Sequence, residues 1–389
     1  MTPETIEGYG VRLRPCHLAD VPEMVAGCAD PETRRFMPLL PDPYDSDAAR
    51  WWITEGAPAA CAAGGAAYTI ADPASDLLLG SIGLTRLSAE RATYEIGYWV
   101  GPAARGRGVA RAATRLLTER AFAAGAARLE LLTRTENVAS QRIALACGYR
   151  HEGVRRAAGA GGDSVRQDLI AWVRLADDPP GPVARLLPDL PDGRLTDGVV
   201  TLRPVEPADT DALFRLHSLP EVVANRVPPV PPERSALARR CRLAASRWLA
   251  GEAADLAILD AATGAVVGGC ALFYDEPTTG QAMIGYSLLP EARGRGLAAR
   301  TVRLVAGWAF GMGVARLWAG TRPDDVASQR VLERAGFRRE GLLRGRLPGP
   351  DGGRVDSVVY GRLDTDDSCG RAPARGPVRT GQGVTRRAG

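Results

Sequence analysis

A chain that repeats a long stretch of itself at one spacing is constrained to fold as two copies of one unit. Residues 94–153 align without a gap on residues 282–341, an offset of 188. Arg105-Gly106-Arg107-Gly108 falls on Arg293-Gly294-Arg295-Gly296, and Val138-Ala-Ser-Gln-Arg142 on Val326-Ala-Ser-Gln-Arg330. Gly148 meets Gly336, Glu152-Gly153 meets Glu340-Gly341, and Asp168 meets Asp356. Leu13-Arg14-Pro15 meets Leu202-Arg203-Pro204 one residue out of step. The period far exceeds the roughly 20–50 residues of a solenoid repeat, so the copies are whole domains. The expected boundaries are 1–176 and 198–365. Between them, 177–197 carries five prolines and is expected to be a semi-rigid extended linker. Residues 366–389 are rich in Gly, Pro and Arg with almost no large apolar residue, and are expected to be disordered.

Each copy reads as α+β. Residues 11–15, 66–71, 77–84 and 94–100 carry strand patterns, with counterparts at 201–204, 255–259, 266–273 and 283–289. After the Gly-rich turn, Val109, Ala113, Leu116 and Leu117 share one helical face; Leu297, Thr301, Leu304, Val305 and Trp308 do the same. Residues 128–133 alternate as a strand, and 138–147 form a helix that stops at Gly148.

Composition excludes several classes. Hydrophobic residues make up 45% and charged residues 24%, the balance of a globular protein rather than a disordered one. All 49 basic residues are arginine, which removes lysine as a Schiff base or nucleophile. The net charge is +4, and residues 366–389 hold five arginines against two aspartates. The folded body is then near neutral and unlike a nucleic-acid binder; only the tail could touch RNA weakly. Seven scattered cysteines, without a C-x-x-C pair, argue against a disulfide framework, and three isolated histidines against a metal site. The longest uncharged stretch, 56–71, is too short to span a bilayer, and residues 1–10 do not read as a signal peptide, so a cytoplasmic location is expected.

The repeated unit of strand, glycine turn and helix carries the chemistry. Glycines let a ligand approach the backbone, and free amides at a helix N-terminus suit a pyrophosphate. Arg105, Gly106, Arg107, Gly108, Val109 and Ala110 are thus a candidate phosphate cradle, as are Arg293, Gly294, Arg295, Gly296, Leu297 and Ala298. Glu95-Ile-Gly-Tyr-Trp-Val100, Arg105-Gly-Arg-Gly-Val-Ala110, Asn137-Val-Ala-Ser140 and Gly148-Tyr149 together resemble the GNAT superfamily of N-acetyltransferases. The Leu13-Arg14-Pro15 opening and Asp168-Leu-Ile-Ala-Trp172 resemble its ribosomal-protein-alanine acetyltransferase branch. The resemblance implies two tandem GNAT folds, each a mixed, largely antiparallel twisted sheet with flanking helices.

It also implies acetyl-CoA as co-substrate, no metal, and direct transfer of the acetyl group to an amine acceptor, a peptide N-terminus or a small molecule. The pantetheine arm would lie against the backbone of Trp99 and Val100, and of Leu288 and Leu289 in the second copy. Glu95 is the implied base, the Val100 amide an oxyanion donor, Ser140 the leaving-group donor, and Asn137 a cofactor or helix-start contact. Both Asn137 and Ser140 also suit a helix N-cap. In the second copy Met283 stands at the position of Glu95 and Asp325 at that of Asn137, so that half is expected to bind CoA and to be catalytically weak. Two other readings are a tandem small-molecule acetyltransferase resembling mycothiol synthase, active in its C-terminal half, and an acyl-CoA-sensing regulator without turnover.

Overall fold

Strand-forming runs joined by tight turns build the first sheet. The computed structural model describes residues 4–160, 166–349 and 352–366. The expected disordered tail, apart from Asp366, lies outside the described residues. The chain divides into two compact units, the first built up to Leu186 together with Arg242–Gly251 and the second on Leu187–Cys241 with the chain from Glu252.

The first unit opens with strands β1 (Ile6–Gly8) and β2 (Val11–Arg14). Helices α1 (Val21–Ala29), α2 (Pro31–Phe36) and α3 (Ser46–Trp51) follow; a single π turn, Trp52–Gly56, leads into α4 (Ala57–Ala62). Then come β3 (Ala66–Ala71), β4 (Leu78–Ser88), β5 (Thr93–Val100), α5 (Val109–Ala123), β6 (Arg128–Arg134), α6 (Val138–Ala146), β7 (Arg150–Gly159) and β8 (Gln167–Leu175). The sheet order is β1-β2-β3-β4-β5-β6-β8-β7, and only β5–β6 is parallel. One face, including Ile82, Ile96 and Leu129, packs on Ala113 and Leu117 of α5. The other carries Trp99 and meets Val21, Met24 and Cys28 of α1.

The repeated Leu-Arg-Pro motif has a structural job. Arg14 is buried at the end of β2, and its guanidinium pairs with Asp20, at 2.7 Å, at the start of α1. Asp20 also accepts from Thr69 Oγ1 and the His17 amide. A fully satisfied buried pair fastens strand to helix; removing one partner would strand a charge, a loss of about 3–5 kcal/mol. Asp168 is likewise structural, since its carboxylate accepts from the Ala157 amide at 2.9 Å and holds the bulge of β7.

The second unit repeats the plan. It contains β9 (Leu195–Thr196), β10 (Val200–Pro204), α7 (Thr210–His217), α8 (Pro220–Ala224), α9 (Arg234–Leu249, grouped with the first unit from Arg242 on), β11 (Ala254–Asp260), β12 (Val266–Glu276) and β13 (Gln281–Leu288). It continues with α10 (Leu297–Gly311), β14 (Arg316–Thr321), α11 (Val326–Arg334), β15 (Arg338–Pro348) and β16 (Arg354–Leu363). Its strand order matches, with β13–β14 the one parallel pair. Arg203 pairs with Asp209 as Arg14 does with Asp20. The segment expected to be an extended linker is not a free spacer. The Val183 amide donates to the Leu145 carbonyl, Leu187 and Leu190 are buried, and Leu195–Thr196 pairs with β10. Its leucines have apolar surface to bury, and that outweighs the stiffening by proline.

Candidate active site

The site starts where the sheet comes apart. β5 and β6 pair at only three positions, the last being Glu95 opposite Glu130; beyond it the strands diverge. The Gly101 amide donates to the Leu79 carbonyl at 2.9 Å, and Gly80 stands opposite Val100. In an antiparallel ladder this parity turns the peptide groups of Trp99 toward β4 and the amides of Tyr98 and Val100 toward the gap. The Val100 amide therefore faces the gap, whereas the Trp99 backbone belongs to the β4 ladder and its indole packs on Gly27 of α1. In the second unit Leu288 matches Val100. Leu289 is displaced from the predicted role, because it is buried and its amide donates to the Val267 carbonyl.

The chain leaves β5 through a short 3-10 turn, Pro102–Ala104, and enters the glycine loop. Gly106 and Gly108 have φ of 73° and 79°, a left-handed backbone that favours glycine, and Gly108 is the N-cap of α5. No side chain caps that helix. Among the described residues the amides from Gly106 to Ala110 have no acceptor, so they stand free at the positive end of a fifteen-residue helix. Arg105 turns inward instead. Its Nε donates to the Val100 carbonyl at 3.2 Å, and its Nη2 bonds Thr33 Oγ1 at 2.8 Å and Asp30. Arg107 is exposed, with no hydrogen bond or ion pair among the described residues.

Glu95 lies on the same sheet face as Trp99 and has no hydrogen-bond or ion-pair partner among the described residues. Burial raises its pKa, the charge of Glu130 raises it further, and Arg155 opposes weakly. Glu130 itself is buried and tied to Arg128, at 3.0 Å, and to Arg155. A carboxylate with raised pKa is a stronger base at neutral pH than an ordinary one. The pair yields a prediction. Glu130→Gln removes the neighbouring charge and leaves the two arginines less compensated, so the Glu95 pKa falls. The acidic limb of a kcat/KM profile should move to lower pH; a limb that stays put would show that the two carboxylates are not coupled.

On the opposite face Tyr98 is half-buried and its hydroxyl donates to Ser140 Oγ, at 3.1 Å, on α6. Asn137 is the N-cap of α6 and accepts from the Ser140 amide at 3.1 Å. Ser140 thus receives a hydrogen bond and keeps its own proton to give. The strand pattern marks Tyr98 as packing; its hydroxyl contact bridges 42 residues and left no local signal.

An acetyltransferase (GNAT) domain matches residues 11–150 and again residues 200–338. The chain belongs to the GNAT acetyltransferase family. Over 87 residues, 22% of this chain and 48% of the other, it is 39% identical to YjcK of Bacillus subtilis (strain 168), described as a probable N-acetyltransferase. Over 146 residues, 37% of this chain and 82% of the other, it is 29% identical to p20 of Bacillus licheniformis, an uncharacterized N-acetyltransferase. The chain thus spans about half the length of the first of these relatives. An acetyltransferase of the GNAT family from Bacillus anthracis is 19% identical over 44% of this chain and 98% of that one, with a TM-score of 0.39.

GNAT enzymes are acyltransferases with acetyl-CoA as co-substrate, and this GNAT chain has a cradle that fits one. A Cβ built on Gly106 meets no atom within 4 Å, and one on Gly108 meets only the tip of Arg111 at 3.9 Å. The space over the free amides is open. The second GNAT unit keeps the loop but spends its polar groups. Gly294 and Gly296 have φ of 75° each. Arg293 donates to the Leu288 carbonyl and pairs with Glu221, while Arg295 pairs with Asp260 at 2.6 Å. Met283 faces Trp318 at the last parallel pair, where the first unit has Glu95 and Glu130. Ser328 donates its hydroxyl to Asp325 Oδ2 at 2.8 Å, so the cap that is Asn137 in the first unit here consumes the serine proton. Asp275 accepts from the indole of Trp318, the residue opposite Met283, and Glu276 accepts from Gln281. Among the described residues no group of three or more His, Cys, Asp or Glu could hold a metal, and no helix is long and apolar enough to cross a membrane.

Proposed function

We propose that the first unit transfers an acetyl group from acetyl-CoA to a primary amine, and that the second holds CoA without turnover. The observation that carries this reading is the exchange of Glu95 for Met283 at the end of the parallel ladder. Acetyl-CoA supplies the activated acyl group. The free amides of 106–110 and the Arg107 guanidinium hold its pyrophosphate. The Val100 amide, facing the gap, donates to developing negative charge on oxygen. Glu95 accepts the amine proton from one face of the sheet and passes it to solvent, while the Ser140 hydroxyl donates a hydrogen bond from the other to the departing thiolate.

The acceptor class follows from the proton. Deprotonating an α-amine of pKa about 8 at pH 7 costs ~1.4 kcal/mol, whereas a lysine at about 10.4 costs ~4.6. A single carboxylate of modestly raised pKa suits the first, so we infer a peptide N-terminus or a small amine of low basicity. A thiol-release screen over N-terminal peptides and small amines tests this. Turnover with an α-amine that Glu95→Gln abolishes supports it; turnover only with lysine side chains overturns the class.

The Tyr98–Ser140 contact gives a graded expectation. Ser140→Ala should lower kcat by about 10²-fold with the KM for acetyl-CoA nearly unchanged. Tyr98→Phe loses one hydrogen bond worth about 1 kcal/mol and should lower kcat about fivefold. Equal rates in wild type and Ser140→Ala would remove Ser140 from the reaction.

A further inference from the structure

The second unit contains a cavity of about 180 Å³ between helices α7 and α9 and the sheet face of β11, β12 and β13. At the matching place of the first unit one side chain takes up the space. Trp99 stands opposite Ser81 on β5, and its ring fills the gap beneath α1 with Met24, Cys28 and Tyr44 around it. Ser287 stands opposite Gly269 at the same place on β13. Replacing an indole by a hydroxymethyl group, with Gly269, Ala271 and Gly285 beside it, leaves room for a ligand.

The cavity wall is apolar with one polar corner. Leu213, Leu256 and Phe273 supply the apolar part. The corner holds His217, at the end of α7, and the Arg240–Asp255 ion pair at 2.7 Å. His217 Nδ1 is buried and has no hydrogen-bond partner. A buried polar atom without a partner is a loss that a ligand group can recover.

We propose that this cavity binds a compact neutral hydroxyaromatic molecule of phenol size, its ring against the leucines and its hydroxyl on His217. The size follows from the volume, since an apolar cavity of about 150 Å³ accommodates benzene. The hydroxyl follows from the imidazole. Burial and the charges of Arg240 and Arg226 lower the His217 pKa to about 4, so the ring is neutral at pH 7. A hydroxyl both donates and accepts, and satisfies Nδ1 in either tautomer. Arg240 and Arg226 disfavour an ammonium ligand, and the opposing carboxylate of Asp255 in the cavity wall is held by Arg240. The site is separate from the acetyl-transfer reaction proposed for the first unit and does not depend on it.

Calorimetric titration of the whole chain with phenol, benzene and benzylamine tests the proposal. Phenol should saturate a single site and bind about tenfold more tightly than benzene, the difference of one buried hydrogen bond. Ser287→Trp restores the filling of the first unit and should abolish binding. Ala271→Leu fills the same space and serves if the tryptophan variant does not fold. His217→Leu should lower phenol affinity about tenfold, to that of benzene, without changing the benzene value. Absence of saturable phenol binding, equal affinity for phenol and benzene, tighter binding of benzylamine, or phenol binding that survives a folded cavity-filling variant would each overturn the proposal.

Discussion

Glu95→Gln lowers turnover by about 10²–10⁴-fold near neutral pH and leaves acetyl-CoA affinity little changed. The substitution preserves shape and length and removes only the capacity to take a proton. Nothing in the fold depends on the Glu95 carboxylate, which has no hydrogen-bond partner among the described residues, so stability should change by less than about 0.5 kcal/mol. The pH profile sharpens the expectation. Because burial and Glu130 raise the pKa, the wild-type acidic limb lies above the ordinary carboxylate value of about 4.3. Protonated Glu95 cannot accept the amine proton, so activity falls as pH drops through that raised pKa. The glutamine variant loses this limb. Wild-type turnover by the variant across pH 6–9, chosen as a range around neutrality, would show that the base lies elsewhere.

Gly108→Val removes nearly all turnover and one bound CoA, whereas Gly296→Val removes a second CoA and leaves most turnover. Both glycines have positive φ, where a β-branched residue is strained by about 1–2 kcal/mol. The built Cβ at either position meets no backbone, so the chain can still fold. What the added methyl groups occupy is the open space over the free amides. Calorimetric stoichiometry beside a thiol-release assay reads both statements at once, and the melting temperature shows whether either variant is merely unstable. A dead Gly296→Val with a normal Gly108→Val would reverse the assignment and favour the arrangement resembling mycothiol synthase. A wild-type stoichiometry of one CoA would make the second loop only a strand-to-helix turn, consistent with Arg295 being held by Asp260 rather than left for a phosphate.

The duplication was legible from the repeat itself, and the α+β character of each half, the glycine loop and the cap at Asn137 from residues alone. The last three are short-range patterns: a two- or 3.6-residue periodicity, a turn that needs glycine, an oxygen three residues before an amide it can reach. The loss of the carboxylate at Met283 was legible for the same reason, since the repeat aligns it without a gap. Contacts between distant residues were not. Tyr98 reads as packing until α6 brings Ser140 to its hydroxyl. Arg105 reads as a phosphate ligand until Asp30 and Thr33 claim it from 75 and 72 residues away. The basicity of Glu95 depends on Glu130 arriving across a parallel ladder and on burial by the helices, because a pKa is set by through-space charge and desolvation. Trp99 and Ser287 are unremarkable in the aligned repeat; only packing against α1 and α7 makes one a core side chain and the other the wall of a cavity. Local geometry is encoded within a few residues, while electrostatics and empty volume belong to whatever the fold places nearby.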